Sequence, residues 1–357
     1  MFGSKKEISR EAVLHALSAV QDPELHRDLV TLGMVQDIEI QDGKVSFTVT
    51  LTTPACPLRT QIEQDARAAV MALPGVSGVE IKWSSRVPTG GVREKAAIPG
   101  IKNVIAVGSG KGGVGKSTVS VGLALALADT GARVGLLDAD VWGPNIPQMM
   151  GVQVPPSQNG AKLVPGVSRG VKMMSMAFFV STEQAVIWRG PMVGKMVTQL
   201  LTDVDWGELD YLIVDLPPGT GDASLSLAQA IPLAGLVVVT TPQDVALADA
   251  AKAIGLFKQL DVPIVGVVEN MSYFVCPHCN ERTEIFGHGG AQRLADDHGV
   301  PLLGQIPLDP AVRAGGDIGA PVVAEDPDSP VTSTFREIAG LLAGRVSVLD
   351  LEPELAR

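Results

Sequence analysis

Six short runs rich in valine, isoleucine and leucine recur from Ile101 onward: "NVIAV", "RVGLLDAD", "DYLIVDLP", "GLVVVTTP", "PIVGVVEN" and "PLLGQIP". Stretches of helical spacing separate most of them. A strand that is apolar on both faces belongs inside a parallel sheet, where helices cover each side. The alternation therefore predicts an α/β domain over residues 101–357, with a mostly parallel sheet covered by helices on both faces.

The first 83 residues read as a separate, small α+β domain. "SREAVLHALSAV" has apolar residues at helical spacing, and "MVQDIEI" and "KVSFTVTL" alternate as half-buried strands do. Asp42-Gly43 between the two strands is a strong hairpin signal. A helix over 58–71 and a strand at "GVEIKW" complete the unit. The segment 84–100, "SSRVPTGGVREKAAIPG", has neither periodicity nor a core and reads as a linker.

Composition narrows the function classes. Of 357 residues 46% are hydrophobic, too many for a disordered chain. The net charge of −11 is uneven: residues 1–99 hold 11 Lys/Arg and 12 Asp/Glu, the rest 17 and 27. The acidic part argues against sequence-independent binding to nucleic acid or to acidic membranes. "MFGSKKEISR" has no apolar signal core, and Phe2 excludes myristoylation at a second-position glycine. Residues 223–243 carry no charge, but Ser224, Ser226, Gln229, Pro232 and Gly235 interrupt them, giving a short helix and a buried strand rather than a span. Three cysteines, Cys56, Cys276 and Cys279, are too few for a disulfide framework and fit a reducing cytoplasm.

"GSGKGGVGKST" follows the first apolar run. Gly110, four residues, then Gly115-Lys116-Ser117 match the phosphate-binding pattern G-x-x-x-x-G-K-[ST]. Glycines let successive N–H groups converge on phosphate oxygens, and a helix over 116–129 presents its positive end to them. Lys116 should reach the β/γ-phosphates and Ser117 should ligate Mg²⁺. The plain alternative, a flexible turn before a helix, does not explain the strand-loop-helix context. Asp215 ends "DYLIVD" and can hold the metal through water, with the Gly219 N–H near the γ-phosphate. Asp138 and Asp140 end "GLLDAD"; each can cap a loop or orient the attacking water. Three carboxylates at the loop side of one parallel sheet favour a site.

Lys111 lies inside the loop, where an ordinary phosphate loop needs no cation. G-K-G-G-V-G-K-S-T resembles the deviant loop of the MinD/ParA/nitrogenase-reductase class of ATPases. The resemblance implies that Lys111 crosses a dimer interface to the partner's nucleotide, as an arginine finger does.

"CPHC", Cys276 to Cys279, places two thiols at metal-gripping spacing. Spacing alone leaves a structural zinc clip, completed by His278 or His288, level with an iron–sulfur site. A two-fold dimer brings two plus two cysteines to one axis, a full set for a cluster.

With this pair, residues 101–345 resemble the Mrp/ApbC family of iron–sulfur cluster carrier ATPases. The matching pieces are "GSGKGGVGKST", "LDADVWGPNIP", "YLIVDLPPGTGD", "VENMSYFVCPHC", "FGHGG" and "LLGQIPLDP". The first domain resembles the iron–sulfur assembly module found ahead of this ATPase, including "TPACP". The resemblance implies an ATP hydrolase acting as a homodimer, with ATP, Mg²⁺ and a bridging 4Fe-4S cluster. ATP would lie on Gly110, Lys111, Gly112, Gly113, Val114, Gly115, Lys116, Ser117 and Thr118, with Asn270, Pro307 and Asp309 at the adenine. Asp140 would position water, and Asp138 and Asp215 would surround Mg²⁺. Cys276 and Cys279 would hold a transient cluster, received from scaffold proteins and passed to apoproteins. Cys56 is either a small buried hydrophobe or a transfer thiol. The competing function is a positioning ATPase like MinD or ParA, which needs a basic surface or a basic amphipathic C-terminus that this chain lacks.

Overall fold

The computed structural model describes residues 8–89, 98–152, 156–160, 162–179 and 190–351. The expectations for the first seven residues and for 90–97 of the linker lie outside them. The chain divides into two compact units, Met1–Pro88 and Thr89–Arg357.

In the first unit, helix α1 (Arg10–Leu17) starts at Ser9, whose hydroxyl accepts the Ala12 N–H at 3.1 Å. Strands β1 (Val35–Gln41) and β2 (Lys44–Leu51) pair antiparallel, with Gln41 opposite Lys44. Asp42 (φ 49°) and Gly43 (φ 82°) are both left-handed, the turn whose twist matches that of the strands it joins. Along β2, Val45, Phe47, Val49 and Leu51 are buried and alternate residues are not. Helix α2 (Arg59–Met71) lays Ile62, Ala66 and Val70 into the same core. Strand β3 (Gly78–Ser85) runs parallel to β2, and Leu51 pairs with Ser85. That pairing carries the strand two residues into the segment expected to be linker. Lone polar serines conceal it, because the register is set by β2.

The second unit is an eight-stranded sheet. In chain order its elements are β4 (Ile101–Ser109), α3 (Lys116–Asp129), β5 (Val134–Asp138), β6 (Gly166–Ser168), β7 (Val171–Ser175), α4 (Gly190–Thr202), β8 (Leu209–Asp215), α5 (Asp222–Ala230), β9 (Gly235–Thr240), α6 (Asp244–Gln259) and β10 (Ile264–Glu269). A small hairpin of β11 (Phe274–Val275) and β12 (Arg282–Thr283) follows, then α7 (Gly290–His298), β13 (Leu302–Gln305), α8 (Pro310–Ile318) and α9 (Pro330–Leu351). The sheet order is β6-β7-β5-β8-β4-β9-β10-β13, parallel throughout except at the β6 edge. The α/β architecture expected from the apolar runs is the one observed, and the short helix and buried strand expected over 223–243 are α5 and β9. No described helix is long and apolar enough to cross a membrane.

Both faces of β4 are buried. Val104 and Ala106 join a cluster with Val193 and Val197 of α4 and Ile254 of α6, while Ile105 and Val107 point the other way and are equally excluded from water. On α3, Gly122 meets Phe335 of α9 so closely that a Cβ would lie 2.2 Å from the ring. After β4 the chain moves first to β5 on one side and later to β9 on the other. The crevice at such a reversal lies over the carboxyl ends of the central strands, where the glycine loop emerges.

Candidate functional site

The loop leaves β4 at Ser109 and enters α3 at Lys116. Gly113 (φ 83°) and Gly115 (φ 82°) hold left-handed conformations that side chains resist. Two neighbours clamp the loop. Asn270, just beyond β10, donates its amide to the Val114 carbonyl at 2.8 Å, and a Cβ on Gly115 would lie 2.1 Å from the same nitrogen. On the other side a Cβ on Gly110 would strike the backbone of Asp249 on α6 at 2.1 Å. No side chain caps the first turn of α3, so its N–H groups face the loop with their partial positive charge. Gly115→Ala combines a left-handed penalty of about 1–2 kcal/mol with the Asn270 collision, so nucleotide affinity should fall at least tenfold. Titration with a labelled nucleotide checks this; unchanged affinity contradicts it.

The charged groups converge beneath the loop. Lys116 is buried, with its ammonium 2.7 Å from Asp215 Oδ2 and 3.8 Å from Asp140 Oδ2. The Ser117 hydroxyl donates to Asp215 Oδ2 and the Ser120 hydroxyl to Oδ1, each at 2.6 Å. A fully buried carboxylate survives there because one cation and two hydroxyls satisfy it. Asp138 sits beside Asp215 in strand register. Its Oδ2 accepts from Ser175 Oγ at 2.9 Å and Ile146 N at 3.3 Å, and its Oδ1 from Asp140 N at 3.2 Å. Asp140 turns Oδ1 to the N–H groups of Trp142 and Gly143 and leaves Oδ2 facing Lys116.

Burial, and then the charge of Asp215, push Asp138 from the usual 3.8 up to about 7. Burial also raises Asp140, with Lys116 opposing. Because the folded value of Asp138 exceeds the unfolded one, its stabilising contribution is complete below about pH 4 and is lost as pH rises through 7. Asp138→Asn imitates the protonated acid. In metal-free protein its melting temperature should therefore gain on wild type between pH 5 and pH 8; a gap that is constant or shrinks contradicts this.

The other expected residues fall as follows. Lys111 is half-buried, its carbonyl accepts the Ser109 hydroxyl at 2.9 Å, and its ammonium forms no ion pair among the described residues. Gly112 and Gly113 are exposed and Thr118 is half-buried. Gly219 departs from expectation: its N–H donates to the Ser109 carbonyl at 2.9 Å instead of standing open to a phosphate. Asp309 caps α8 by accepting the Ala311 N–H at 2.7 Å. Pro307 lies between Ile306, whose carbonyl accepts Ser272 N, and Leu308, whose N–H donates to Tyr273 O, so it flanks the segment that follows Asn270. Sequence reading missed Ser120, Ser175 and Glu269. Only Ser120 left a trace, four residues after Lys116 and so on the same helix face.

The cysteines occupy a hairpin tip. β11 and β12 pair antiparallel, Cys276 N donates to Glu281 O at 3.0 Å, and Asn280 N returns to Cys276 O at 2.8 Å with Asn280 left-handed (φ 58°). Arg282 stacks 3.8 Å from the Tyr273 ring centre at the hairpin base. Backbone N–H groups of His278 and Cys279 donate towards the Cys276 sulfur and lower its pKa from the usual 9.0, which favours the thiolate that binds metal. Cys279 is exposed. His288 is held 2.9 Å from Glu284, and no three metal-binding side chains gather anywhere among the described residues. One chain thus offers two sulfurs, and the histidines do not complete a zinc site within it. In the first unit, burial pushes the half-buried Cys56 thiol the opposite way, up to about 11.

A glycine loop closing on a buried lysine, at the carboxyl ends of a parallel sheet lined with aspartates, defines a P-loop NTPase. The family described as ParA, NUBPL iron-transfer P-loop NTPase, matches residues 100–343, and the iron-sulfur cluster assembly protein family matches residues 10–83. The chain belongs to the NUBPL iron-transfer P-loop NTPases. It is 50% identical over 351 residues to an iron-sulfur cluster carrier protein of Synechocystis sp., covering 96% of this chain and 99% of that one. A carrier protein of the same description from Deinococcus radiodurans is 51% identical over 344 residues, covering 96% and 97%. Among solved structures, a nucleotide-binding protein from Archaeoglobus fulgidus in complex with ADP superposes with a TM-score of 0.59 at 39% identity, covering 67% of this chain and 93% of that one.

Proposed function

We propose that this protein carries iron–sulfur clusters to apoproteins, with ATP hydrolysis at the glycine loop and the cluster bridged between two copies by Cys276 and Cys279. The observation that carries the reading is the hairpin itself: two sulfurs at one tip, Cys279 exposed and Cys276 half-buried with its thiolate favoured by backbone N–H groups, half the number a cluster needs. The relatives' carrier names and the ADP-bound neighbour support it.

At the nucleotide site Lys116 exchanges Asp215 for β/γ-phosphate oxygens, and the first N–H groups of α3 receive the remaining charge. The donor set suits Mg²⁺: Ser117 Oγ and Asp215 Oδ2 stand 2.6 Å apart, both hard oxygens, with Asp138 behind them. Bound there, Mg²⁺ neutralises charge that develops on the phosphates. Asp140 orients the attacking water with Oδ2, the oxygen that faces Lys116, and Lys111 completes the partner's site. The loop residues Gly110 to Thr118 cradle the phosphates, and Asn270, Pro307 and Asp309 border the adenine. Burial keeps Cys56 protonated, so it would act as a transfer thiol only once exposed and deprotonated, and otherwise packs as a small apolar side chain of the first unit. The cluster is of 4Fe-4S type, the assembly works in the cytoplasm, and its partners are scaffold proteins and apoproteins.

Metal analysis of protein reconstituted without oxygen tests the reading. Iron with equal sulfide and visible absorbance is the expected result. Stoichiometric zinc without sulfide would make the hairpin a structural clip and the protein a positioning ATPase.

A further inference from the structure

Glu269 ends β10 and is wholly buried, yet nothing in the nucleotide chemistry uses it. We infer that Glu269 is a positioning residue through which the state of the phosphate loop sets the position of the cysteine hairpin. The inference rests on the proposed roles of the loop and the hairpin.

Three donors meet this carboxylate. Ser272 Oγ donates to Oε1 at 2.6 Å, Gln305 Nε2 to the same oxygen at 2.9 Å, and Ala291 N to Oε2 at 2.8 Å. Their places in the chain give the arrangement its meaning. Ser272 lies on the limb leading into the hairpin, and Ala291 lies in the first turn of α7, on the limb leaving it. Both feet of the segment that carries Cys276 and Cys279 are therefore tied to one side chain. Gln305 ties that side chain in turn to β13, whose neighbour Ile306 bonds the Glu269 carbonyl through its N–H at 2.8 Å.

The next residue, Asn270, grips the phosphate loop at Val114 and lies against Gly115. One peptide bond thus joins the residue that holds the loop to the residue that holds both hairpin feet. Packed interiors deform by discrete shifts rather than by yielding, so a displacement of Val114 and Gly115 when phosphates bind passes to Asn270 and on to the feet. The chemistry of the side chain also fits. All three neighbours are donors, so acceptors are needed on both oxygens. Glutamine offers one acceptor: placed on the Ala291 N–H, which can only donate, it turns its own N–H groups towards Ser272 and Gln305, so both must reverse from donor to acceptor and their charge-assisted bonds are lost.

The test reads the thiols directly and needs no cluster. Reduced, metal-free full-length protein is alkylated with iodoacetamide with and without MgADP, at two concentrations tenfold apart to expose any effect of association. Peptide mass spectrometry follows Cys276 and Cys279, with Cys56 as internal reference. In wild type, nucleotide should change the alkylation rate of the pair by about fivefold or more, the lower range of coupling between sites. In Glu269→Gln the change should shrink to less than about twofold while a labelled nucleotide still binds. Ser272→Ala, which removes one donor and little volume, should reduce the response partway and decides the matter if Glu269→Gln does not fold. A full response in the variants overturns the coupling, as do wild-type thiols indifferent to a nucleotide shown to be bound. Absence of nucleotide binding in wild type overturns the proposed function as well.

Discussion

Lys111→Ala should lower ATP turnover by roughly 10³–10⁵-fold while leaving nucleotide affinity of the single chain nearly unchanged. The expectation follows from where the two lysines stand. Lys116 is buried against Asp215 of its own chain, whereas Lys111 is half-buried and unpaired among the described residues. A cation that acts across an interface contributes only in the transition state of the partner's site, so its removal appears in turnover rather than in binding. Mixing separates this from a local role. A Lys111→Ala chain paired with an Asp140→Asn chain contains one site with its own Asp140 and the partner's Lys111. Phosphate release should return on mixing two variants that are each inactive alone. No recovery, or a loss under about tenfold in Lys111→Ala, contradicts the crossing.

Cys276→Ala should reduce reconstituted iron and sulfide to background while sparing the fold. In the proposed dimer each chain would supply two sulfurs, so the substitution would halve the ligand set on both sides at once, and a cluster that needs four thiolates would not persist on two. The fold should survive because the hairpin is a two-residue ladder at the surface, and none of residues 274–283 is buried. Matched controls are far-UV circular dichroism and labelled-nucleotide binding, both expected to equal wild type. Iron and sulfide retained at the wild-type level would remove Cys276 from the site.

The sequence makes visible those features that local chemistry decides. Continuous apolar runs specify buried parallel strands, Asp42-Gly43 specifies a tight turn, and the glycine spacing specifies the phosphate loop; each is a property of neighbouring residues. Side-chain partners across the sheet are a different matter. Nothing around Glu269 in the chain announces that Ser272, Ala291 and Gln305 will converge on it, since two of the three arrive from later elements. The Gly219 N–H likewise has a free acceptor in Ser109, brought beside it only because β8 pairs with β4. The end of β3 at Ser85 is legible only from its pairing with Leu51. The serine at 120 illustrates the intermediate case, in which helical spacing shows the face but not the carboxylate it meets.

The mass of the cluster-loaded species, measured by light scattering under nitrogen together with its iron and sulfide, bears most directly on the account. A particle of twice the chain mass holding a single cluster, which dissociates when Cys276 is replaced, is the predicted result. A particle of one chain mass that keeps iron and inorganic sulfide would contradict it.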